Sequence, residues 1–442
     1  MCHSNEQTVN EKNSRDNVTR SLLDVESAEP QKLTYPKRIF LIIGNEFCER
    51  FNFYGMRAIL VFYMKYKLDF TESDAAVLFH TFVMLMYLTC ILGAVLSDVW
   101  LGKFRTILYL SILYAAGSII VSISAVPGIV ISPKMALYIG LTLIAFGGGG
   151  IKPCVSAFGG DQFKLPEQST QMATYFSLFY FVFNAGSFIS TLITPVLRAD
   201  VHCFNENDCY SLAFGVPALL MILAILFFVS GRSSYTCVKT SSDNMLLKML
   251  KCTWHAIVTK QLERKTKPRK NLLDYSIEKY GAQLVDDIRA MVKICVLYLP
   301  FSFFWTLSYQ PGSLWTFQAS KMNGDLGFYT MKPDQMQMVE SLMVLIFIPL
   351  YQTVVNPALA IIGIRRPLQK LTFGGAMAVI SFLLAAYVEH RIDSMPTKSV
   401  NILWQMPQYT VFTLAEAMVS VTGLSYSYSQ APESMKSVAY CF

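Results

Sequence analysis

The chain has 442 residues, 53% of them hydrophobic and only 15% charged, with a net charge of +7 and a mean hydropathy of +0.40. Soluble domains carry roughly a quarter charged residues, and the apolar residues here gather into runs approaching the roughly 20 residues that cross a bilayer as a helix. A soluble globular fold is therefore disfavoured. The positive excess sits in loops between apolar runs, a pattern of membrane orientation rather than nucleic-acid binding.

In chain order, residues 1–36 are polar, lack the apolar core of a cleavable signal and read as a disordered cytosolic tail, in which the Asn17-Val-Thr19 sequon would go unused. Ten apolar spans follow, at about 38–64, 76–97, 106–126, 135–157, 173–197, 211–231, 290–310, 338–362, 370–388 and 401–425. They predict an all-α, polytopic membrane protein. Its N-terminal six-helix bundle covers 37–231, a cytosolic linker 232–289, a partial four-helix bundle 290–431 and a short tail 432–442. Six spans, a polar linker and a second half make the arrangement of the major facilitator architecture. Six plus four leaves that architecture without its last two helices, so the chain reads as truncated after the tenth. Lys32, Lys37 and Arg38 precede the first span, and Lys103, Arg105, the run Arg264–Lys270, Arg365, Arg366 and Lys370 fall in loops of the same parity. Loops of the other parity hold only scattered bases such as Lys65, Lys67 and Lys134, which predicts a cytosolic N-terminus. The basic linker reads as solvated rather than lipid-bound.

Several spans carry charge where it is expensive: about 2.5–3.5 kcal/mol for an ionised side chain at mid-bilayer. In the first span Glu46, Glu49 and Arg50 stand at i, i+3 and i+4 on one helix face, with Tyr54 on the same stripe. Either Glu46 and Arg50 form a structural pair that leaves Glu49 unpaired, or the face meets water. His80 in the second span reads as a satisfied core residue or as a group titrating near neutral pH. Lys152 in the fourth follows four glycines and precedes Pro153, a helix break. It is too central to snorkel and is expected to face a cavity. The Gly-rich run lacks the spacing and the Ser or Thr of a phosphate loop. Cys203 and Cys209 lie in a polar loop placed outside by the charge bias, where a disulfide would persist; the alternative is two free thiols. Glu416 is the one acid of the tenth span. An acid there with bases in spans one and four gives a cavity opposite poles, suited to a ligand bearing both an ammonium and a carboxylate, such as an amino acid or short peptide.

These residues resemble the animal members of the proton-coupled oligopeptide transporter family. The resemblance rests on Glu46-Phe-Cys-Glu49-Arg50-Phe-Asn-Phe53-Tyr54-Gly55, on Asp98–Lys103, on Gly149-Gly150-Ile151-Lys152-Pro153-Cys154 and Gly159–Phe163, and on Tyr175–Ser187. Lys321–Gly327, Pro333–Gln337 and Tyr428–Pro432 also fit, so the match runs from about residue 36 to 437. It implies that Glu46, Glu49, Arg50 and His80 couple protons to transport, and that Arg50 and Lys152 meet a peptide carboxylate. It also implies that Tyr54, Tyr63, Tyr87, Tyr180, Asn184 and Trp305 line the pocket and that Glu416 holds the peptide ammonium. Departures are Phe53 for a Tyr, Tyr309 for an Asp, Leu314 for an Arg, Gln352 for the Asp that would face Lys293, and Ser425 for an acid. Glu340 replaces a pocket Asn and joins the substrate-binding set, where it should favour cationic substrates. A short polar loop around Glu389–Lys398 stands in place of a large extracellular domain.

The function implied is proton-coupled symport of di- and tripeptides across the plasma membrane by alternating access. The alternatives are a same-fold carrier of another small solute and a non-transporting truncated isoform or regulatory partner. No metal cluster or nucleophile constellation stands out, so no enzyme is expected. Nor is any cofactor beyond the coupling proton, any nucleic-acid partner, or an oligomer.

Overall fold

The structure, a computed structural model, describes residues 35–128, 132–164, 167–237, 245–263, 269, 271–430 and 432. The expected N-terminal tail up to residue 34, most of the basic run and residues 433–442 lie outside the described residues. Among the described residues there is no sheet, only isolated bridges between loops.

Six long helices form the first half: α1 (Ile39–Tyr66), α2 (Glu72–Val95, continued by a wide π-type turn to Trp100), α3 (Lys103–Ser124), α4 (Pro133–Gly160), α5 (Ser169–Asp200) and α6 (Tyr210–Ser230). Their starts are legible locally. Thr71 caps α2 by accepting from the Asp74 amide at 3.1 Å, α4 opens with Pro133, and α3 is entered through Gly102 at φ +76°, a backbone state that disfavours other residues. The four glycines of α4 let backbones touch: a Cβ on Gly149 would sit 2.1 Å from the Met86 carbonyl, and one on Gly93 would sit 2.1 Å from that of Gly150. Among the described residues seven helices are long and apolar enough to cross a membrane, and a bent pair makes an eighth. At about 1.5 Å per residue α1, with 28 residues, and the final helix, with 25, are also long enough.

Residues 232–289 are not simply a linker. They contain α7 (Met245–Glu263), and the seventh span already begins at Ala282, eight residues before the expected edge at 290. That span is α8 (Ala282–Tyr298), bent by 51° from the following segment, which comprises α9 (Phe301–Ser308) and α10 (Leu314–Ser320). Pro300 at the break and Pro311 between α9 and α10 withhold amide donors there. The eighth span is α11 (Met336–Leu350) with α12 (Asn356–Ile361), followed by α13 (Pro367–Ser394) and α14 (Met406–Gln430). Glu389, expected in a polar loop, lies inside α13, where it accepts from Lys321 at 2.6 Å and Gln318 at 2.9 Å.

Each half has its own apolar core: one built on α1 to α6, the other on α9 to α14. The halves also meet through polar bridges. Arg198 grips the fully buried Asp334 with two bonds of 2.8 and 3.1 Å, Lys332 reaches Asp200 at 2.6 Å, and Gln335 donates to the Leu192 carbonyl at 3.0 Å. These bridges lie at the end of the molecule that carries the Cys203–Cys209 disulfide. Lys67 pins that same loop through Glu206 and Asp208.

Candidate functional site

The α1 stripe is buried from end to end: Glu46 and Glu49 are 1% exposed, Arg50 6% and Arg57 5%. Charges so deep persist only when paired. The Arg50 Nε lies 2.6 Å from Glu46 and 2.9 Å from Glu49. Of the two readings of this face, the structure shows the Glu46–Arg50 pair, with Glu49 drawn to the same guanidinium but adding no hydrogen bond of its own. The Arg50 guanidinium also stacks over Phe183, 4.5 Å from its centroid. Lys152 from α4 stands nearby, with its ammonium 4.9 Å from the Phe53 ring centre and 4.7 Å from that of Tyr87. Phe53, a departure that loses a hydroxyl, thus gives the ammonium an aromatic face instead.

Between the halves lies a cavity of about 290 Å³, near the small end of the usual range for ligand sites. The first half lines it with Tyr54, Arg57, Tyr87, Tyr180, Phe183 and Asn184; the second contributes Trp305, Tyr309, Glu340 and Glu416. Of the expected pocket residues, Tyr54, Tyr87, Tyr180, Asn184, Trp305, Glu340 and Glu416 are there. Arg50 and Lys152 do not line it; each sits one ring behind the wall, under Phe183 and Tyr87 respectively. His80 is also off the cavity, bonded to the Ser313 hydroxyl at 3.1 Å across the inter-half boundary. Tyr63 is placed elsewhere. Its hydroxyl donates 2.7 Å to the Ser124 carbonyl and its ring packs on Tyr210 and Phe214, so it belongs to the core of the first half. Its span was right and its face was wrong.

Arg57 is the functional residue that sequence reasoning passed over. It is 3.7 Å from Glu340, within 5.2 Å of the Tyr54 and Tyr309 ring centres, and it ties the first span to the eighth. A signal was available, because Arg57 lies seven residues beyond Arg50 and so on the same helix face. Glu340 is therefore not a free acid awaiting a cation but half of a buried pair. Glu416 differs: one of its carboxylate oxygens is buried without a hydrogen-bond partner and the residue faces the cavity. An acid in that state suits an incoming ammonium.

Further contacts between the halves lie on the disulfide side of the cavity, Ser187 with Ser341 at 2.7 Å and Gln337 with the Ala58 carbonyl at 3.2 Å, while Tyr87 meets Tyr309 in its wall. Tyr180 lies nearer the opposite end of α5 and stays 40% exposed, and Trp305 stays 38% exposed. The Ser187 and Gln337 contacts between the halves beside the cavity thus lie on its disulfide side.

The comparisons with known proteins agree with this architecture. The profile of the POT family (PTR2) matches residues 104–442. The chain is 49% identical over 380 residues to Peptide transporter family 1 of Drosophila melanogaster, covering 86% of this chain and 51% of that protein. It is 46% identical over 367 residues to human Solute carrier family 15 member 2, covering 82% and 50%. The chain thus spans about half the length of the curated relatives it matches. Among solved structures it resembles the POT family transporter PepTSo, with a TM-score of 0.77, 29% identity and coverage of 92% of this chain and 86% of that one. A second likeness, to a proton dependent oligopeptide (POT) family transporter, has a TM-score of 0.70, 31% identity and coverage of 91% and 88%. A helical bundle pair around one polar cavity and a family profile over most of its length together make this chain a member of the POT family.

Proposed function

We propose that the chain serves proton-coupled symport of di- and tripeptides across the plasma membrane, its N-terminus cytosolic, by alternating exposure of the inter-half cavity. Its similarity to a peptide transporter and to a solute carrier supports this reading. The observation that carries it is the charge layout of the cavity. On one wall Glu416 presents a carboxylate oxygen with no protein partner, while Arg57 and, one ring deeper, Arg50 and Lys152 supply the opposite pole. A peptide spans such a gap with its ammonium at Glu416 and its carboxylate toward the bases.

The coupling proton resides in the Glu46–Glu49–Arg50 cluster. Two buried carboxyls balance Arg50 and the nearby Lys152, and a proton on one acid would release that lysine toward a substrate carboxylate. His80, held to Ser313 across the boundary, is the second proton-linked group. No other cofactor takes part, and the functional unit is the monomer. The test is uptake of a labelled dipeptide by proteoliposomes holding this 442-residue chain, with and without acid outside. Uptake should rise with the imposed gradient; uptake indifferent to pH would remove proton coupling, and no uptake of any dipeptide would remove the substrate assignment.

A further inference from the structure

The polar segment between the halves reads in sequence as a solvated stretch, yet α7 has two apolar faces. One is used. Cys252 and Ala256 are fully buried against Leu273, Val285, Ile288, Met291 and Ile294, and the Ser276 hydroxyl donates 2.8 Å to the Cys252 carbonyl. The other is bare. Leu250, Trp254, Ile257, Val258 and Leu262 follow each other at helical spacing, i, i+4, i+7, i+8 and i+12, and Trp254 and Leu262 are 69% and 77% exposed. Lys251 stands within this stripe, between Val258 and Leu262 around the helix, and Lys260 beyond its edge, both exposed and without an ion pair among the described residues. A solvated helix has no use for a second apolar stripe.

The level of the helix in the fold says what covers it. Tyr54, at the middle of α1, and Trp305 share the cavity and so mark mid-depth. Ile294 and Ile288, which belong to the buried cluster that also holds Cys252 and Ala256 of α7, lie 11 and 17 residues before Trp305. At about 1.5 Å per residue these are at most ~17 and ~25 Å from mid-depth, and the 51° bend shortens both. The hydrocarbon ends about 15 Å from the bilayer centre and the headgroups about 20–22 Å from it. The docked face of α7 is thus anchored at headgroup level.

We propose that α7 lies on the membrane surface with Trp254 and its apolar neighbours inserted among the lipids and Lys251 and Lys260 on anionic headgroups. Tryptophan favours that boundary because its ring is apolar and its N–H still finds a polar partner. Each lysine near an anionic surface adds about fivefold to membrane affinity. The helix thereby ties the base of the seventh span to the lipid composition of one leaflet.

The test uses the full chain in nanodiscs whose lipids carry bromine next to the headgroup, either all phosphatidylcholine or with one-third phosphatidylserine. The emission of Trp254 is taken as the difference between the chain and its Trp254→Phe variant, a change on an exposed face that leaves the core intact. We expect bromine to quench Trp254, more strongly with phosphatidylserine. Lys251→Gln and Lys260→Gln should each cut the anionic gain by about fivefold. Emission that stays water-like and unquenched overturns the proposal. Blue-shifted but unquenched emission also overturns it, since a protein surface would then cover the stripe. Quenching equal in both lipids and blind to the lysine changes overturns the anionic part.

Discussion

Two buried clusters of charge share α1, and they differ in what holds them. The Glu46–Glu49–Arg50 cluster is made by one helix, with Lys152 from α4 beside it, so it belongs wholly to the first half. The Arg57–Glu340 pair is made by two halves and is longer, 3.7 Å against 2.6 and 2.9 Å. The first survives any relative movement of the halves, whereas the second must break when they part at that end. The former is fixed within one bundle, and the latter reports how the two halves sit against each other.

The largest effect that would break this contrast is expected at Arg50. Arg50→Ala leaves two buried carboxyls without their base, a loss of about 3–5 kcal/mol for an uncompensated buried charge. Dipeptide uptake should vanish and the unfolding temperature in detergent should fall clearly; a variant as stable and active as the parent would show that the cluster is solvated and not paired. Next is Glu416→Gln. Losing a charge-assisted contact of about 1.5–3 kcal/mol weakens dipeptide affinity by about 10- to 150-fold, measured as KM, and should leave binding of N-acetylated dipeptides unchanged. Equal losses for both ligands would place the ammonium elsewhere.

Glu340→Gln sharpens the comparison further. It leaves Arg57 an unpaired cation at the cavity wall and should weaken dipeptides with a lysine side chain against neutral ones several-fold, by up to about tenfold. If neutral and cationic dipeptides already compete equally for the parent chain, Glu340 serves only Arg57. The smallest effect belongs to Tyr63→Phe, which removes one buried hydrogen bond worth about 1 kcal/mol. Stability should drop by that amount while KM holds; a raised KM would return Tyr63 to the pocket.

Much of this was legible without coordinates, for reasons that differ by residue. The ten spans follow from the cost of exposing backbone and charge to lipid, which hydropathy records directly. Glu416 stood out because a lone acid in an apolar span needs a reason. Tyr63 did not reveal its face, because an aromatic residue packs equally well against a core or a ligand. Arg57 escaped because its partner Glu340 lies in the other half of the chain, so no local spacing pairs the two. Helix α7 escaped because its lysines break the apolar run that marks a span, and its two stripes resolve only once one of them is seen to be occupied.

The glycine crossing has a mechanical meaning. Where the backbones at Gly93 and Gly150 meet without side chains between them, α2 and α4 are locked like two planks nailed together. Lys152 and Tyr87 ride on those planks, so the ammonium is expected to keep its aromatic seat if the halves move. An alanine at Gly93 or Gly149 would pry the planks apart and loosen that seat while leaving every charged residue of the site in place.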